Sequence, residues 1–354
     1  MEGQRVTVVN GRFIGLRVSG MERYAREVVC RMDTGRLRIV GPRWSMPGLR
    51  GQLWEQFLLP QRMQAGEVLW SPTNTGPVAY HPHVVTVHDV AVFDHPEWFR
   101  ARVRVAYGNI VARVIRDADL ITTPSEFTRG RVIAMFVLDP KRVRVVRAGM
   151  SPDWLWPASG LAEESGTSEQ LGQIELTRFG LAAGGNDPRK NIERLVAAWE
   201  GVRTVEKDLD LVLLGSAAPH VFAGGISARR PWIHWIGNVT DGQMDRLYRA
   251  AEVLLYPSIY EGFGLPPLEA LARGTPVVVS DIPALRESLD NFGRFVDPWD
   301  VKSIARGVME VVGARETKDA LVRRVAETLT FPTWETAARL MEEILDEAAS
   351  ARQQ

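Results

Sequence analysis

The chain has 354 residues, of which 45% are hydrophobic and 24% are charged, and these proportions are typical of a soluble globular protein with two domains. No apolar run reaches the roughly 18 residues of a membrane-spanning helix, and the residues after Met1 do not have the basic and then apolar pattern of a secretory signal peptide. We therefore expect a cytoplasmic protein. Because Cys30 is the only cysteine, an internal disulfide and a multi-cysteine metal site are excluded, and its apolar neighbours predict a buried thiol.

The charges are balanced overall but unevenly distributed. Lys and Arg number 43, as do Asp and Glu; up to Trp156 the counts are 22 and 14, which leaves 21 and 29 for the remainder. The basic N-terminal half therefore predicts an anionic partner, either a phosphorylated acceptor or a membrane surface. The run FRARVRVAYGNIVARVIRDA concentrates this charge and reads as a helix with an apolar stripe and a basic face. It is interpreted either as a peripheral membrane contact or as a solvated helix face.

Short apolar runs alternate with helical patterns along the chain. Their continuous hydrophobicity predicts strands buried on both faces, and hence two parallel sheets covered by helices. The predicted strands are VTVVN, LRIVG, VLWSP, HVVTVHD, LITTPS and VRVVRAG in the first half, and FGLAAGG, LVLLG, IHWIG, VLLYPS and PVVVSD in the second. The prediction is an α/β protein of two Rossmann-like, doubly wound domains that face each other across a cleft, with the ligands in that cleft.

The predicted domain boundaries follow from composition. Residues 1–156 form the first domain, and the Gly-, Ser- and Glu-rich residues 157–176 form a linker or surface insertion. Residues 177–332 form the second domain. Residues 333–354 contain a final helix, from about Thr333 to Ala348, that is compatible with packing on either domain, including a return to the first.

The segment YEGFGLPPLEALARGTPVVVSD sets Glu261 and Glu269 eight positions apart around a glycine-rich turn. Pro266 and Pro267 suit a first helical turn, so the pattern predicts that a helix begins there, with Glu269 within about one turn of its positive end. The glycines allow a ligand to approach the backbone, and the N–H groups of a helix start attract anions. A diphosphate fits this place.

A second candidate anion site follows the strand FGLAAGG. In NDPRKNIERLVAAW, Arg189 and Lys190 lie at the mouth of a predicted helix. Two cations beside a helix start would hold a pyrophosphate and stabilise the charge that develops on a departing nucleotide diphosphate, without a metal ion. The alternative is that both are ordinary loop charges, which the matching glutamate pair makes the weaker interpretation.

Together these motifs resemble those of the retaining glycosyltransferases of family 4, which have the GT-B fold. The resemblance covers nearly the whole chain and extends to five weaker matches, SGMERYA, VTVHDV, TPSEFTR, WIGNVTDGQMDRLY and FPTWETAA. One departure is the strand before PRKN, which ends AAGGND where the family usually has a glycine followed by Thr or Arg.

The resemblance implies a role for each matching residue. Glu269 would accept hydrogen bonds from the ribose hydroxyls, Glu261 would contact the transferred sugar, and Arg189 with Lys190 would bind the diphosphate. The other implied contacts are sugar and phosphate at the backbone of Phe263, Gly264 and Leu265, the base at Val239, the donor phosphate at Gly20, and the reacting centre at His88.

His88 follows a predicted strand and would project from its carboxyl end. Its alternative is a core histidine that caps the strand. In a retaining enzyme it would hydrogen-bond a sugar hydroxyl or a backbone carbonyl, because the departing phosphate oxygen can itself take the acceptor proton.

We expect no metal ion and no cofactor apart from the nucleotide diphosphate sugar that serves as donor. Asp117 with Asp119, and Asp208 with Asp210, resemble a metal-binding DxD element, but both pairs directly precede predicted buried strands. Charged residues commonly mark the edge of a sheet at such positions, and no nucleic-acid partner is predicted.

The resulting hypothesis is a metal-independent, retaining hexosyltransferase that acts in polysaccharide assembly. The resemblance favours mannose as the sugar and GDP-mannose as the donor, with a saccharide or lipid-linked saccharide as the acceptor. The expected location is the cytoplasm, and the basic first half is compatible with a peripheral contact at the inner face of the membrane. Two alternatives remain: a nucleotide-sugar epimerase of the same architecture, and a nucleotide-sugar-binding module without turnover.

Overall fold

The computed structural model describes residues 6–14, 20–150, 178–184, 187–215, 230–237, 239–314, 316–328 and 333–351. The chain divides into two compact units, one made of Met1–Asp94, Ala101–Ser151 and Phe331–Gln354, the other of His95–Arg100 and Pro152–Thr330. The linker predicted at residues 157–176 lies outside the described residues. Among the residues that are described, no helix is long and apolar enough to cross a membrane.

The first unit contains a six-stranded sheet in the order β2-β1-β3-β4-β5-β6, with every neighbouring pair parallel. All of the strands predicted in the first half form. The strands are β1 (Thr7–Asn10), β2 (Leu37–Val40), β3 (Val68–Ser71), β4 (His83–Thr86), β5 (Leu120–Thr123) and β6 (Val143–Val145). The helices are α1 (Gly20–Val29), α2 (Leu49–Leu53), α3 (Ala91–Asp94), α4 (Ala101–Asp117), α5 (Glu126–Phe136) and, from the end of the chain, α12 (Trp334–Ala351).

The α2 helix continues without a break into a wider, π-helical turn at Trp54–Leu58. Single 3₁₀ turns lie at Gly11–Phe13, Thr34–Arg36, Pro60–Arg62 and Pro140–Arg142 in this unit, and at Pro96–Trp98 and Pro188–Lys190 in the second. The basic helix predicted from the sequence is α4. Its apolar stripe packs into the core through Val111, Val114 and Ile115, whereas its arginines and Val105 are exposed.

The final helix α12 belongs to the first unit. Trp334, Met341 and Leu345 are buried there, and the Trp334 ring lies edge-on to Tyr24 with ring centroids 5.9 Å apart. Three arginines of this unit pair with carboxylates of α12: Arg31 with Glu335, Arg36 with Asp346, and Arg144 with Glu347. The helix is therefore held by its buried apolar face and by ion pairs along the edges of that face.

The second unit contains a second six-stranded parallel sheet, in the order β12-β11-β10-β7-β8-β9. The predicted strands form, and β12 was not predicted. The strands are β7 (Arg178–Ala183), β8 (Leu209–Leu214), β9 (Ile233–Ile236), β10 (Val253–Tyr256), β11 (Val277–Ser280) and β12 (Gly293–Val296). The helices are α6 (Ile192–Val202), α7 (Asp241–Ala250), α8 (Leu265–Leu271), α9 (Pro283–Leu289), α10 (Val301–Val312) and α11 (Lys318–Thr328).

One sequence prediction about the core was wrong. Cys30 was expected to be buried but is exposed. It directly follows α1, whose Val28 and Val29 are buried, and its sulfur lies 3.3 Å from the Glu27 carbonyl oxygen. The apolar neighbours occupy the inward face of the helix, and a step of one residue turns Cys30 away from it.

Candidate functional site

The loop after β7 is shaped by hydrogen bonds of its own side chains. The Asp187 carboxylate accepts a hydrogen bond from the Arg189 N–H and caps the turn Pro188–Lys190. Asn191 follows with φ at 56° and donates its side-chain amide to the carbonyl oxygens of Pro257, at 3.1 Å, and Pro298, at 2.7 Å. These bonds fasten the loop to the segment after β10, the strand that neighbours β7, and to the segment after β12.

Lys190 is the centre of the resulting cluster. Its ammonium group donates to Glu261 Oε1 at 2.6 Å and to the Tyr256 hydroxyl at 2.7 Å, and it lies 4.4 Å from the centroid of the Tyr256 ring. The Lys190 and Glu261 side chains are largely buried, with 16% and 11% of their surface exposed. The structure thus joins two residues that the sequence analysis had placed in separate motifs.

Gly184 makes room for this lysine. A Cβ atom at Gly184 would lie 2.4 Å from Lys190 Cβ and 2.5 Å from its Cγ, closer than atoms can pack. The glycine-rich end of β7, which departs from the usual pattern of the family, therefore lets the Lys190 side chain lie against the backbone.

Arg189 makes a different set of contacts. Its guanidinium group is paired with the Asp187 carboxylate at 2.7 Å, and its carbonyl oxygen accepts a hydrogen bond from the Ile259 N–H at 2.8 Å. The two cations of the PRKN segment thus differ in environment, because Arg189 pairs within its own turn and Lys190 reaches across to Glu261.

The turn before α8 depends on Gly264. This residue has φ at 100°, and a side chain there would also meet Leu285. The α8 helix then begins at Leu265, close to the predicted start, and has seven residues. Glu269 is its fifth residue, just past the first turn, and its carboxylate accepts a hydrogen bond from the Tyr248 hydroxyl at 3.0 Å.

Two buried tyrosines, Tyr256 and Tyr248, lie beside Glu261 and Glu269, respectively. Burial raises the pKa of Tyr256 well above its usual value, and the nearby Glu261 and Tyr248 raise this pKa further. Tyr256 therefore stays protonated and Tyr248 donates to Glu269, so that a phenol stands beside each carboxylate. Neither tyrosine was predicted as a site residue. Tyr256 could have been, because it ends the predicted strand VLLY at the carboxyl edge of the sheet, where ligands bind.

The remaining predicted residues of the second unit lie around the same loops. Phe263 is buried, Leu265 is half-buried at the start of α8, and Val239 lies between β9 and the capping residue Thr240 of α7. The structure places Phe263, Gly264 and Leu265 in one turn after Glu261. The predicted contact of Val239 with the base stays a prediction.

His88 and Gly20 belong to the first unit. The Nε2 atom of His88 lies 2.8 Å from the Pro72 carbonyl oxygen, to which it donates, and the ring stands edge-on to Tyr24 at 5.1 Å. Burial lowers the pKa of His88, although the Pro72 bond and the nearby carboxylates of Asp89 and Glu22 oppose this change. A neutral ring that already donates to a carbonyl suits a positioning role better than that of a proton acceptor.

Gly20 begins α1, and a Cβ atom built there would have no neighbour within 4 Å. Protein packing therefore does not require a glycine at this position. Its predicted contact with the donor phosphate stays a prediction.

The two DxD-like pairs are engaged in ion pairs at the amino ends of strands. Arg178 contacts Asp208, and Arg203 with His234 contacts Asp210. In the first unit His81 lies between Asp117 and Asp119. The Lys190 cluster lies at the opposite, carboxyl edge of its sheet. Within the described part of the chain, no group of three acidic, histidine or cysteine side chains could hold a metal ion.

A buried polar network in the first unit was also missed from sequence. Glu55 is fully buried and accepts hydrogen bonds from Arg12 at 2.6 Å, Asn10 at 2.8 Å and Thr75 at 3.1 Å. Burial raises the pKa of Glu55, against the effect of Arg12 and the other donors. The partners of Glu55 are distant in sequence, so no local sequence pattern predicts these hydrogen bonds.

Comparisons with known proteins agree with these observations. The family model "Glycosyltransferase Family 4" matches residues 12–154, and the model "Glycosyl transferases group 1" matches residues 169–328. The O-antigen chain mannosyltransferase B of Escherichia coli is 32% identical over 284 residues, which cover 73% of this chain and 70% of that protein. The MMP alpha-(1->4)-mannosyltransferase of Mycolicibacterium hassiacum is 30% identical over 63% of this chain and 54% of that protein.

Among solved structures, Anabaena Alr3699/HepE in complex with UDP-glucose matches with a TM-score of 0.69 and 15% identity, over 97% of this chain and 99% of that one. The fold of this protein is therefore GT-B. The epimerase and the binding module without turnover gain no support from these relatives. The chain belongs to glycosyltransferase family 4 and is a hexosyltransferase.

Proposed function

We propose that the protein transfers mannose from GDP-mannose to a saccharide or lipid-linked saccharide acceptor, with retention of configuration and without a metal ion. The Lys190–Glu261–Tyr256 cluster carries the proposal, supported by the names of the two mannosyltransferase relatives.

Lys190 would hold the donor diphosphate. An ammonium group has three N–H donors, and Glu261 and Tyr256 take two of them. The third would be directed to a phosphate oxygen, and Arg189, on the adjoining residue, would supply a second positive charge. Charge that grows on the departing diphosphate would then be stabilised by the protein itself.

Glu261 and Glu269 would divide the recognition of the donor. Glu261, largely buried against Lys190, would accept hydrogen bonds from hydroxyl groups of the transferred sugar. Glu269 would accept those of the ribose, oriented by the Tyr248 hydroxyl. The backbone of Phe263, Gly264 and Leu265 would contact sugar and phosphate, and that of Val239 the base.

The proposed reaction breaks the bond between the anomeric carbon and the leaving phosphate oxygen. The acceptor oxygen forms its bond to the same face of that carbon, and its proton passes to the departing phosphate oxygen. Charge and atoms balance without a protein nucleophile. Gly20 would lie against the donor phosphate and His88 near the reacting centre, where its neutral ring would position rather than remove a proton.

The acceptor and the location follow from charge. The basic first half of the chain favours an anionic lipid-linked acceptor, and contact with the inner face of a membrane is part of the proposal. Within this proposal the protein is cytoplasmic and peripheral to that membrane.

Calorimetry with GDP, UDP and ADP in the presence of a chelator tests the donor site. We expect GDP to bind most tightly to the intact protein, and Glu269→Ala to weaken binding about tenfold or more, because the ribose contacts are lost. Glu261→Ala should retain GDP affinity and lose transfer. Nucleotide binding that requires a divalent ion would reject the metal-free mechanism, and a stronger preference for UDP would reject the donor.

The stereochemical claim has its own test. Nuclear magnetic resonance of the first product formed from GDP-mannose should show the anomeric configuration of the donor. An inverted product would contradict the proposed mechanism even if the donor is correct.

A further inference from the structure

An exposed apolar stripe runs along α2 and its continuation. Leu49, Leu53 and Phe57 recur every four residues and therefore share one face of the helical segment. Leu58 and Trp44 are also exposed and lie next to this stripe in the sequence. Leu49, Leu53, Phe57, Leu58 and Trp44, here called the 44–58 surface, are 61%, 50%, 63%, 46% and 69% exposed, respectively. Single exposed apolar residues are ordinary, but a stripe of large ones on one helix indicates an interaction surface.

The opposite face of the same segment is firmly anchored. Trp54 and Leu59 pack in a core cluster with Val8 and Leu69. Glu55 is tied to Arg12, and Gly51 is so closely packed that a Cβ atom would lie 2.1 Å from the Met46 carbonyl oxygen. The orientation of the stripe is therefore fixed by packing, and its exposure is a property of the folded unit.

The charges around the 44–58 surface have one sign. Arg43, Arg50 and Arg62 are exposed, and the Arg43 guanidinium lies 5.5 Å from the Trp44 ring. From residue 41 to residue 66 the only acidic residue is Glu55, which is fully buried against Arg12. This stretch therefore presents large apolar side chains among cations, with no exposed carboxylate.

This combination selects among possible occupants. A second copy of the chain, paired about a twofold axis, would bring like-charged arginines together on desolvation. An anionic bilayer instead offers phosphate groups to the arginines and an acyl region to the leucines and phenylalanine, and tryptophan favours the boundary between the two. Charge complementarity thus favours a lipid surface.

We propose that the protein docks on anionic lipid bilayers through the 44–58 surface. The basic helix α4, which the sequence analysis offered as one candidate for this contact, buries most of its apolar side chains and exposes a single large one, Val105, so it would contribute mainly charge. The inference deepens the proposed function, on which it rests for the membrane-borne acceptor, and it assigns the contact to a different part of the first unit.

Vesicle flotation tests this assignment. The intact protein should float with phosphatidylglycerol-containing vesicles at low salt and remain free of vesicles made of phosphatidylcholine alone. Leu53→Ser with Phe57→Ser should weaken binding about tenfold or more, since two large apolar side chains no longer enter the bilayer. Arg43→Glu with Arg50→Glu should do the same through charge. Val205→Ser, at an exposed valine of the second unit, is the matched control and should bind as the intact protein does.

Trp44 provides a measure of depth. Brominated lipids should quench the fluorescence of the intact protein more than that of Trp44→Phe when both are bound to vesicles. Equal quenching, or binding that survives Leu53→Ser with Phe57→Ser, would overturn the proposal. Loss of binding only on Arg102→Ala with Arg104→Ala would overturn it in favour of α4.

Two further measurements separate this inference from the proposed function. GDP calorimetry on the Leu53→Ser, Phe57→Ser protein should match the intact protein, which shows that it is folded and that the donor site is independent. If the protein binds vesicles but not GDP, the proposed docking surface is supported and GDP-mannose is rejected as the donor. Absence of vesicle binding, together with a dimer that the same substitutions dissociate in sedimentation, would assign the surface to a second copy instead.

Discussion

The Tyr256 hydroxyl accepts a hydrogen bond from Lys190 beside Glu261, the Tyr248 hydroxyl donates one to Glu269, and the two hydroxyls can be removed separately. Tyr256→Phe takes one partner from Lys190, so we expect kcat to fall about tenfold, with GDP affinity nearly unchanged. Tyr248→Phe removes one hydrogen-bond donor from the Glu269 carboxylate, and we expect several-fold weaker GDP binding with kcat retained. Steady-state kinetics and calorimetry on both proteins check this division. If both substitutions change the same parameter, the assignment of the two glutamates is wrong.

Gly184 offers a test of the Lys190 position in which no charged group is removed. In Gly184→Ala the new methyl group would overlap the Lys190 side chain, and we expect GDP affinity to fall about tenfold or more while the free energy of unfolding falls by about 1–3 kcal/mol. Gly201→Ala is the control, because no atom lies within 4 Å of the added carbon and the residue is in α6. It should raise stability by up to about 1 kcal/mol and leave GDP binding unchanged. Unchanged binding in Gly184→Ala would show that Lys190 need not occupy its observed position.

The sequence was informative about site residues that lie in continuous motifs and uninformative about their partners. Arg189, Lys190, Glu261 and Glu269 could be proposed because cations and carboxylates flank predicted turns. Their hydrogen-bond partners could not, since Tyr256 meets Lys190 only when two parallel strands are adjacent. The burial of Glu55 could not be predicted for the same reason, because its partners Asn10 and Arg12 are distant from it in sequence.

At the level of elements, continuous apolar runs correctly predicted the buried strands, but this pattern did not predict the strand β12 at the edge of its sheet. The β12 strand, Gly293–Val296, contains an arginine, and only Val296 is buried. It is the outermost strand beside β11, so one of its edges has no neighbour in the sheet to impose an apolar sequence. Cys30 shows the complementary error, because apolar neighbours in a helix do not share its face.

The final helix α12 has two kinds of contact whose energetic weights can be compared. Met341 is completely buried, and Met341→Ala should lower the free energy of unfolding by about 2–5 kcal/mol through lost burial and a cavity. Glu347 is about half exposed in its pair with Arg144, and Glu347→Ala should cost less than about 1 kcal/mol. Chemical denaturation of the first unit's transition measures both. An equal cost would mean that the ion pairs hold the helix as strongly as the apolar face does, which would contradict this expectation.

For the whole molecule, two compact units imply two unfolding transitions that respond to different conditions. GDP should raise the transition of the second unit, which holds the Lys190 cluster. Acid should lower that of the first, because burial lowers the pKa of His83 to about 3 and also lowers that of His88. Between these values and the ordinary value near 6.5, the unfolded chain binds protons that the folded unit does not, so stability is lost as the pH falls below about 6.5.

Scanning calorimetry at pH 7.5 and at pH 5 separates these effects. We expect His83 alone to cost the first unit about 2 kcal/mol at pH 5, and His83→Gln to remove most of that loss. Carboxylates of the second unit with lowered pKa values, such as Asp281 and Glu316, contribute stability that is lost only at lower pH. A single transition, or an acid response unchanged by His83→Gln, would contradict this account.

The place of α12 bears on the order in which the chain can fold during synthesis. Residues 333–351 complete the first unit, yet they follow every residue of the second. Domains commonly fold as they leave the ribosome, the N-terminal one first. Here the second unit can be complete while Tyr24 and its neighbours still lack the helix that covers them. The unit that begins first would be completed last, and a chain released before residue 333 would carry a complete second unit together with a first unit whose apolar core is open.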